Sequence, residues 1–331
     1  MSVAIAGMGW VTPLGAGLEE VWARICAGEV PQTKWLTNPE SGRAHPFFAT
    51  PPGAVAHLAR NPRLRRASVI SHLAVAAGLA ALEHAGVTMT PELVARTAIV
   101  FAISDGGVLY TRRFYEQIVS QGANAASPLL FPETVYNAPA SHLAALLGID
   151  GASYTLVGDA AIGMSALHFA AELLETSDVE QVVVVGAEEG DWALCEAYHT
   201  WRLTRTPLAE GAAALVLRRE GRCQLQTHPG APFVRQQEAG AALASVLADF
   251  AGAKVNRVIG SENGTFIDRA EGTALSAYFP SAPVFSLKKH IGEAPGTGAL
   301  MQTVAAALTG ERALVTVVGF NQQAGAALVS R

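Results

Sequence analysis

A short apolar run turns sharply into an alanine-rich amphipathic run in the segment Ser153-Tyr154-Thr155-Leu156-Val157-Gly158-Asp159-Ala160-Ala161-Ile162-Gly163-Met164-Ser165-Ala166-Leu167. This pattern predicts a β-strand that leads directly into an α-helix. The free backbone N–H groups and the positive dipole end of such a helix would hold a cysteine at the turn as a reactive thiolate. Position 160 carries alanine. Because an alanine side chain cannot be acylated, chemistry that needs a covalent intermediate has no nucleophile here.

Length and composition describe a chain that can bury a large core. Of its 331 residues, 50% are hydrophobic and 15% are charged, and 23 basic against 28 acidic residues give a formal net charge of −5. Neither sign forms a long run, which argues against a nucleic-acid partner and a polybasic membrane anchor. The exception is Arg63-Leu64-Arg65-Arg66. We interpret it as the solvated start of a helix, with contact to a partner or carrier protein as the alternative.

The cysteines and the N-terminus bear on the cellular compartment. Cys26, Cys195 and Cys223 lie far apart, without the spacing of a metal site or of a disulfide framework. Residues 1–7 lack the basic flank and long apolar run of a signal peptide, and no later apolar run approaches the length of a membrane span. Gly7, Gly9 and Gly15 do not form a phosphate-binding fingerprint. We therefore expect a cytoplasmic protein with no metal, no cofactor and no membrane contact.

Short strands alternate with alanine-rich helices along the whole chain, which predicts layered α/β sheets. In the first part, the pattern predicts strands at residues 3–6, 97–102, 153–157 and 181–186 and helices at 18–27, 68–85, 139–147 and 163–176. In the second part, it predicts strands at 209–217, 222–226, 257–261, 284–287 and 312–318 and helices at 239–251, 269–278 and 297–308.

The similarity of the two parts indicates an internal duplication. The predicted boundary lies near residues 201–208, so that residues 1–203 form an N-terminal half and residues 204–331 a C-terminal half. We expect the strand at 209–217 to pair with the strand at 222–226. The segment 45–62 is rich in Pro and Ala and is expected to be an irregular surface excursion.

Several motifs follow one another in a fixed order over nearly the whole chain. They are Ala6-Gly7-Met8-Gly9-Trp10-Val11-Thr12-Pro13-Leu14-Gly15, Phe131-Pro132-Glu133-Thr134-Val135-Tyr136-Asn137, Val184-Val185-Gly186-Ala187-Glu188-Glu189, Leu208-Ala209-Glu210-Gly211-Ala212-Ala213-Ala214-Leu215-Val216-Leu217, Ser286-Leu287-Lys288-Lys289-His290-Ile291-Gly292-Glu293 and Gly319-Phe320-Asn321-Gln322-Gln323. Taken together, they resemble the β-ketoacyl-acyl-carrier-protein synthases, members of the thiolase fold. The resemblance implies a thiolase-like layered αβαβα architecture with two similar halves.

The same resemblance implies a cysteine nucleophile at the head of the helix, two histidines for decarboxylation and a lysine. Counted from the glycine that ends the nucleophile motif, the cysteine position falls on Ala160. The first histidine position, before a Gly-Thr pair, falls on Asn263, and the second, at the end of a Lys-Ser-x-x-Gly-His pattern, falls on Glu293. Only Lys288 is retained among the four polar groups that the family implies.

These replacements compound one another chemically. Decarboxylative condensation needs a thioester on the nucleophile and donors that stabilise a developing enolate oxygen. The amide of Asn263 can donate a hydrogen bond, whereas an ionised Glu293 would repel the developing charge. We therefore expect no turnover at this site. We expect Lys288 to keep a structural ion pair with either Glu293 or Glu210.

Two segments are candidates for contact with a second subunit. The resemblance implies dimerisation through the strand that leads to the nucleophile position, here 153–157, because an unpaired apolar edge is a docking surface. It also implies that the preceding loop, residues 127–136, reaches towards the partner's acyl tunnel. Ordinary core packing is the alternative for the loop side chains. The candidate interface and tunnel residues are Leu129, Leu130, Phe131, Tyr136 and Val157.

Within this family, the chain most resembles the chain-length factors. These are non-catalytic subunits that pair with an active synthase in type II polyketide or aryl-polyene assembly. The resemblance implies an active β-ketoacyl-acyl-carrier-protein synthase as heterodimer partner, with an acyl carrier protein as a further one. The alternatives are an enzyme that only decarboxylates malonyl-carrier protein and a homodimeric carrier-binding scaffold. We interpret Cys195 as a buried small hydrophobe and His290, three residues before Glu293, as a surface or capping group.

Overall fold

Helices and strands alternate along the chain as the sequence predicts. The computed structural model describes residues 1–321 and 323–331, so Gln322 of the last motif lies outside the described residues. Up to residue 218 the elements are β1 Ser2–Thr12, β2 Gly15–Ala16, α1 Leu18–Cys26, β3 Lys34–Thr37, β4 Ala44–Phe48, α2 Val69–His84, α3 Pro91–Ala95, β5 Thr97–Ile103, α4 Val108–Gln121, α5 Ala138–Leu147, β6 Ser153–Val157, α6 Ile162–Thr176, β7 Gln181–Glu188, α7 Trp192–Trp201, β8 Leu208–Ala209 and β9 Gly211–Arg218. After residue 218 they are β10 Cys223–Thr227, β11 Ala231–Pro232, α8 Ala239–Ala248, β12 Arg257–Gly260, α9 Phe266–Tyr278, β13 Val284–Ser286, α10 Lys288–Ile291, α11 Pro295–Leu308, β14 Ala313–Val318 and β15 Gln323–Ser330.

The strand order repeats itself in the two halves of the chain. The first half has the order β6-β5-β7-β9-β1 and the second half the order β13-β12-β14-β15-β10. Numbered in chain order among the five strands named for each half, both orders read third, second, fourth, fifth, first. Strands β1 and β10 pair with each other antiparallel and join the two halves. The predicted internal duplication is therefore visible in the topology.

Five layers follow from the packing of helices on the two halves of this continuous sheet, which are called the first and the second sheet below. Helices α6 and α11 contact each other and contact strands of both sheets, so they form the middle layer. Helices α2 and α5 cover the outer face of the first sheet, and α8 and α9 cover the outer face of the second. Three buried apolar clusters lie between the layers. This is the predicted αβαβα arrangement.

Glycines of the first motif allow α2 to lie close against β1. A Cβ on Gly7 would come within 2.3 Å of the Ala81 carbonyl oxygen, and one on Gly9 within 2.7 Å of the Ala77 carbonyl oxygen. No side chain fits at such a separation, so the motif is a packing requirement and not a ligand-binding loop.

Three expectations from the sequence need correction. Strand β9 does not pair with β10, because β1 lies between them and pairs with both. Since β9 also pairs with β7, it belongs to the first half, which moves the boundary from residue 203 to the turn at 219–222. The segment 45–62 is not wholly irregular. It contains most of β4, whose Phe47 and Phe48 are buried and whose neighbours are β3 and β8.

Candidate functional site

Ala160 lies in the turn that joins β6 to α6, two residues before the helix begins at Ile162. The side chain of Asp159 holds this turn. Its Oδ1 accepts a hydrogen bond from the backbone N–H of Ala161 at 3.0 Å, and its Oδ2 accepts one from the N–H of Asn321 at 3.1 Å. The turn therefore has the form that the sequence predicts for a nucleophile position, and it presents a methyl group.

The surroundings of Ala160 are mostly apolar. Ala160 shares one buried cluster with Cys195, Tyr198 and Phe320. The rings of Tyr198 and Phe320 meet edge to face with 5.7 Å between their centroids. Burial, together with the charge of Asp191, raises the pKa of the Cys195 thiol to about 12. Cys195 therefore stays protonated at neutral pH and is a buried small hydrophobe, as predicted.

The two positions that the family implies as histidines meet the retained lysine. The Lys288 ammonium lies 2.8 Å from Glu293 Oε1 and donates a hydrogen bond to Oε2 at 2.9 Å. Asn263 Nδ2 donates to the same Oε2 at 3.2 Å, and all three residues are buried. The predicted ion pair is confirmed for Glu293. Glu210 instead accepts hydrogen bonds from the backbone and hydroxyl of Thr50.

Asn263 and Glu293 are also tied to the surrounding chain. Asn263 Nδ2 donates its second hydrogen bond to the Leu203 carbonyl at 3.0 Å, and its Oδ1 accepts one from the Thr265 hydroxyl at 2.6 Å. The backbone of Glu293 forms a parallel bridge with Leu208. Both hydrogens of the Asn263 amide are therefore used within the protein. The Asn263 amide has no hydrogen left to donate to a further group.

Two further carboxyl groups lie beside this cluster, that of the half-buried Asp105 and that of the buried Glu188. Asp105 accepts a hydrogen bond from the Tyr198 hydroxyl, which is 3.1 Å from each carboxyl oxygen. Burial, joined by the charge of Glu293, raises the pKa of Asp105 to about 7 against the lowering effect of that hydrogen bond. Glu188 accepts backbone hydrogen bonds from the loop after β5 and from the first turn of α11. Burial and the neighbouring Asp105 raise the pKa of Glu188 well above its usual value.

Sequence reasoning missed Asp105 and Tyr198. The available signal for Asp105 was its place in Ser104-Asp105-Gly106-Gly107, directly after a buried strand, where loops carry functional side chains. Tyr198 lies on α7, a helix that the sequence did not predict. Nothing local marked it as the partner of an aspartate 93 residues away.

A small cavity opens beside the cluster. A cavity of about 270 Å³ is lined in part by His45, Tyr198, His199 and Leu208. Small-molecule sites usually measure about 300–1,000 Å³, so this cavity lies below that range.

The contacts of His290 lie outside the cluster around Lys288. Its Nδ1 lies 3.1 Å from the carbonyl oxygen of Glu29, and its ring stacks on that of Phe285 with 5.5 Å between centroids. The residue is half-buried. These contacts agree with the prediction of a surface group.

Strand β6 is the outer strand of the first sheet. Among the described strands it pairs only with β5, so its other edge has no partner within the chain. Tyr154 is 40% exposed and Val157 is 51% exposed. A free edge with exposed apolar side chains and no charged residue is suited to pairing with another strand.

The loop before α5 carries the other candidate partner residues. Leu129, Phe131 and Tyr136 are 64%, 55% and 45% exposed, and Leu130 is half-buried. Leu129, Phe131 and Tyr136 are therefore not fully buried core residues, although the Phe131 ring packs on that of Phe114 with 5.8 Å between centroids. Exposed apolar side chains that are grouped in this way are typical of a protein contact surface.

A basic patch lies where the chain enters α2. Arg63, Arg65 and Arg66 are exposed. The Tyr110 hydroxyl of α4 donates to the Arg66 carbonyl at 3.0 Å, and the Arg113 guanidinium lies over the Tyr110 ring, 5.8 Å from its centroid. None of these four arginines has a carboxylate in ion-pair distance in the part of the chain that the structure describes. Their charge is thus available to an external partner.

Residues 1–321 and 323–331 contain neither a metal-binding cluster nor a membrane-spanning helix. No group of three or more His, Cys, Asp or Glu side chains there is arranged to hold a metal ion. None of the helices in these same residues is long and apolar enough to cross a membrane.

The layered fold, the strand-to-helix turn at Ala160 and the buried cluster around Lys288 define a protein of the thiolase-like ketosynthase class. A family model described as the N-terminal domain of beta-ketoacyl synthase matches residues 1–222, and the chain belongs to this family. That match ends in the turn between β9 and β10, where the structure divides the two halves.

Individual relatives are distant. A 3-oxoacyl-[acyl-carrier-protein] synthase 2 from Vibrio harveyi is 25% identical over 197 residues, which make up 58% of this chain and 46% of that protein. The matched part therefore spans less than half the length of this curated relative. The structure of a type II polyketide synthase acyl-carrier protein in complex with its ketosynthase matches with a TM-score of 0.83 and 14% identity, over 100% of this chain and 99% of that chain. The ishigamide ketosynthase/chain length factor matches with a TM-score of 0.80 and 19% identity, over 99% of each chain. These structural matches show the fold.

Proposed function

We propose that this chain is a non-catalytic ketosynthase-like subunit, a chain length factor, that pairs with an active β-ketoacyl-acyl-carrier-protein synthase and shapes its acyl tunnel. The observation that carries the proposal is the site itself. Ala160 stands at the nucleophile turn, and Lys288, Glu293 and Asn263 form a buried network that uses both amide hydrogens of Asn263. Such a site has neither a group to acylate nor a donor pair for an enolate oxygen.

The remaining cysteine near the turn does not supply the missing chemistry. Cys195 is buried, and burial raises the pKa of its thiol to about 12, so the reactive thiolate is scarce at neutral pH. The carboxylate of Glu293 is held in place by Lys288 and Asn263. It would repel a developing negative charge where the family implies a histidine.

The exposed edge of β6 supports pairing with a second subunit. Antiparallel addition of a partner strand to Ser153–Val157 would satisfy the unpaired backbone groups and cover Tyr154 and Val157. The loop with Leu129, Phe131 and Tyr136 would then meet the same partner, and its aromatic side chains have the size needed to close one end of a tunnel.

The basic patch supports an acidic third partner. Arg63, Arg65, Arg66 and Arg113 present unpaired positive charge on a chain whose formal net charge is −5. We assign this patch to an acyl carrier protein, the component named in the complex of similar fold. Contacts of this kind speed association and weaken as salt concentration rises.

Intact-protein mass spectrometry tests the absence of catalysis. After incubation with acyl donors on acyl carrier protein, we expect no covalent adduct, and we expect Ala160→Cys to show no condensation because Asn263 and Glu293 are unchanged. A stoichiometric adduct on the parent protein, or condensation by Ala160→Cys, would contradict the proposal. Carbon dioxide release from malonyl-carrier protein would instead favour a decarboxylase.

Co-purification tests the partner. A tagged chain expressed with a cysteine-containing synthase of the same organism should yield a one-to-one complex. Recovery of a homodimer alone would favour the carrier-binding scaffold instead, because a second copy of β6 could occupy the same edge.

A further inference from the structure

The loop that joins α4 to α5, residues 122–137, buries one side chain, and that side chain is a carboxylate. Glu133 is 6% exposed, whereas every other residue of the loop is half-buried or exposed. The apolar side chains of Leu129, Phe131 and Tyr136 lie on the outside. This distribution reverses the usual one, in which a loop buries its apolar groups and leaves its carboxylates in water.

The carboxylate of Glu133 joins the loop to two helices. Its Oε2 accepts a hydrogen bond from the backbone N–H of Ser68 at 2.8 Å and lies 3.4 Å from the hydroxyl of Ser71. Its Oε1 lies 2.6 Å from Nε2 of His142 on α5. Ser68 is the N-cap residue of α2, and its own side chain makes no capping hydrogen bond. Glu133 therefore acts as the N-terminal partner of α2 from a distant part of the chain.

These contacts favour the ionised form of the carboxyl group. Burial works against ionisation, but the hydrogen bonds from His142 and Ser68 outweigh it and hold the pKa of Glu133 below its usual value. The group is thus a charged anchor at neutral pH. Charged hydrogen bonds of this kind are stronger than neutral ones.

Glycines let the loop approach the sheet on its other side. A Cβ on Gly107 would lie 2.3 Å from the carbonyl oxygen of Glu133, and a Cβ on Gly106 would lie 2.9 Å from Cε1 of Tyr136. The Gln117 side chain of α4 also accepts a hydrogen bond from the Ser127 N–H at 3.1 Å. The loop is therefore held against the segment that follows β5, while Leu129, Phe131 and Tyr136 keep 64%, 55% and 45% of their surface exposed.

We propose that Glu133 is a positioning residue, which fixes the loop before a partner binds so that Leu129, Phe131 and Tyr136 are already arranged for docking. This inference rests on the proposed function, because it takes the active synthase as the protein that covers these side chains. A loop that is ordered in advance loses less conformational entropy when the complex forms, and this raises affinity without adding a contact.

Hydrogen exchange of the isolated chain tests the anchor without any partner. Glu133→Gln keeps the size of the side chain and removes its charge. Because a glutamine amide has one oxygen and one NH2 group, its NH2 group must face either the Ser68 N–H or His142, where a carboxylate oxygen stood before. We expect at least tenfold faster amide exchange confined to residues 127–137. His142→Phe removes the contact of Glu133 with α5 and leaves its contact with α2, so it should give a smaller change in the same residues. Glu83→Gln, at an exposed position on α2, is the matched control and should change nothing.

Binding to the co-expressed cysteine-containing synthase tests the positioning role. We expect Glu133→Gln to raise the dissociation constant of the complex at least tenfold, although the exposed apolar residues themselves are unaltered. Unchanged exchange in the loop would overturn the proposal. Faster exchange with unchanged affinity would also overturn it, since the anchored loop would then have no part in docking. If the parent chain binds no synthase, the proposed function fails, and the exchange result alone decides whether Glu133 anchors the loop.

Discussion

The ammonium group of Lys288 lies 2.8 Å from Oε1 of Glu293, and their side chains are only 5% and 0% exposed. Asn263 completes this pair by donating to Oε2 at 3.2 Å. A buried ion pair of this kind is costly to break on one side, because the remaining charge keeps its desolvation penalty without its partner. The residues at the implied catalytic positions thus form a structural unit.

Removing the lysine alone should therefore destabilise the protein strongly. We expect Lys288→Met to lower the free energy of unfolding by about 3–5 kcal/mol, because Glu293 becomes an unpaired buried carboxylate. Lys288→Met combined with Glu293→Leu removes both charges and should recover most of the loss. Urea unfolding monitored by tryptophan fluorescence measures both. A double variant no more stable than Lys288→Met would show that the charge pairing is not what matters here.

Stability should depend on pH through Asp105. Its folded-state pKa of about 7 is raised from the ordinary value of 3.8, so the folded protein holds this proton more tightly than the unfolded chain does. The stabilisation is fully present below about pH 4 and is lost as pH rises through 7. Between pH 5 and 7.5 this amounts to about 2–3 kcal/mol. Asp105→Asn, which can still accept from Tyr198, should flatten the decline by that amount in unfolding curves across this range. An equal decline in parent and variant would assign it to other groups.

The partner interface can be tested at the edge strand. Val157→Asp places a charge on the exposed face of β6, which costs little in the free subunit but would bury an unpaired carboxylate in a complex. We expect size-exclusion chromatography of the co-expressed pair to show separated subunits. Val234→Asp is the matched control, because Val234 is 86% exposed and lies outside β6 and the 127–136 loop. A complex that survives Val157→Asp would place the interface elsewhere.

Product length tests the loop. Phe131→Ala should leave the partner's cysteine reactive while lengthening or broadening the acyl chains formed, since side-chain volume at the end of a tunnel limits the number of two-carbon units. Because Phe131 is 55% exposed, its removal should cost the free subunit less than the about 3–5 kcal/mol of a buried phenylalanine. Trp35→Ala, at an exposed aromatic position on β3, should leave the products unchanged. Identical product mass spectra for Phe131→Ala and the parent complex would exclude this role.

Much of the fold follows from local patterns in the sequence. The predicted helix at 163–176 is α6, which begins one residue earlier, and the predicted strand at 153–157 is β6. Strand β15 and helices α4 and α7 were not predicted. Strand β15 is buried on both faces and so shows no apolar/polar alternation, and α4 has only half-buried and exposed residues. The regular spacing of apolar residues identifies a helix or strand only where one of its faces is buried against a neighbour and the other is not.

The sequence by itself determined the alternation of strands and helices and the absence of a thiol at residue 160, because the spacing of apolar residues and the identity of each residue are local properties. Only the tertiary structure decided that β1 separates β9 from β10, that Asn263 uses both amide hydrogens, and that Glu133 is buried while Phe131 is exposed. These outcomes depend on strand pairing and desolvation between residues far apart in the chain. The free energies involved arise when distant groups exclude water from one another, and no local pattern encodes them.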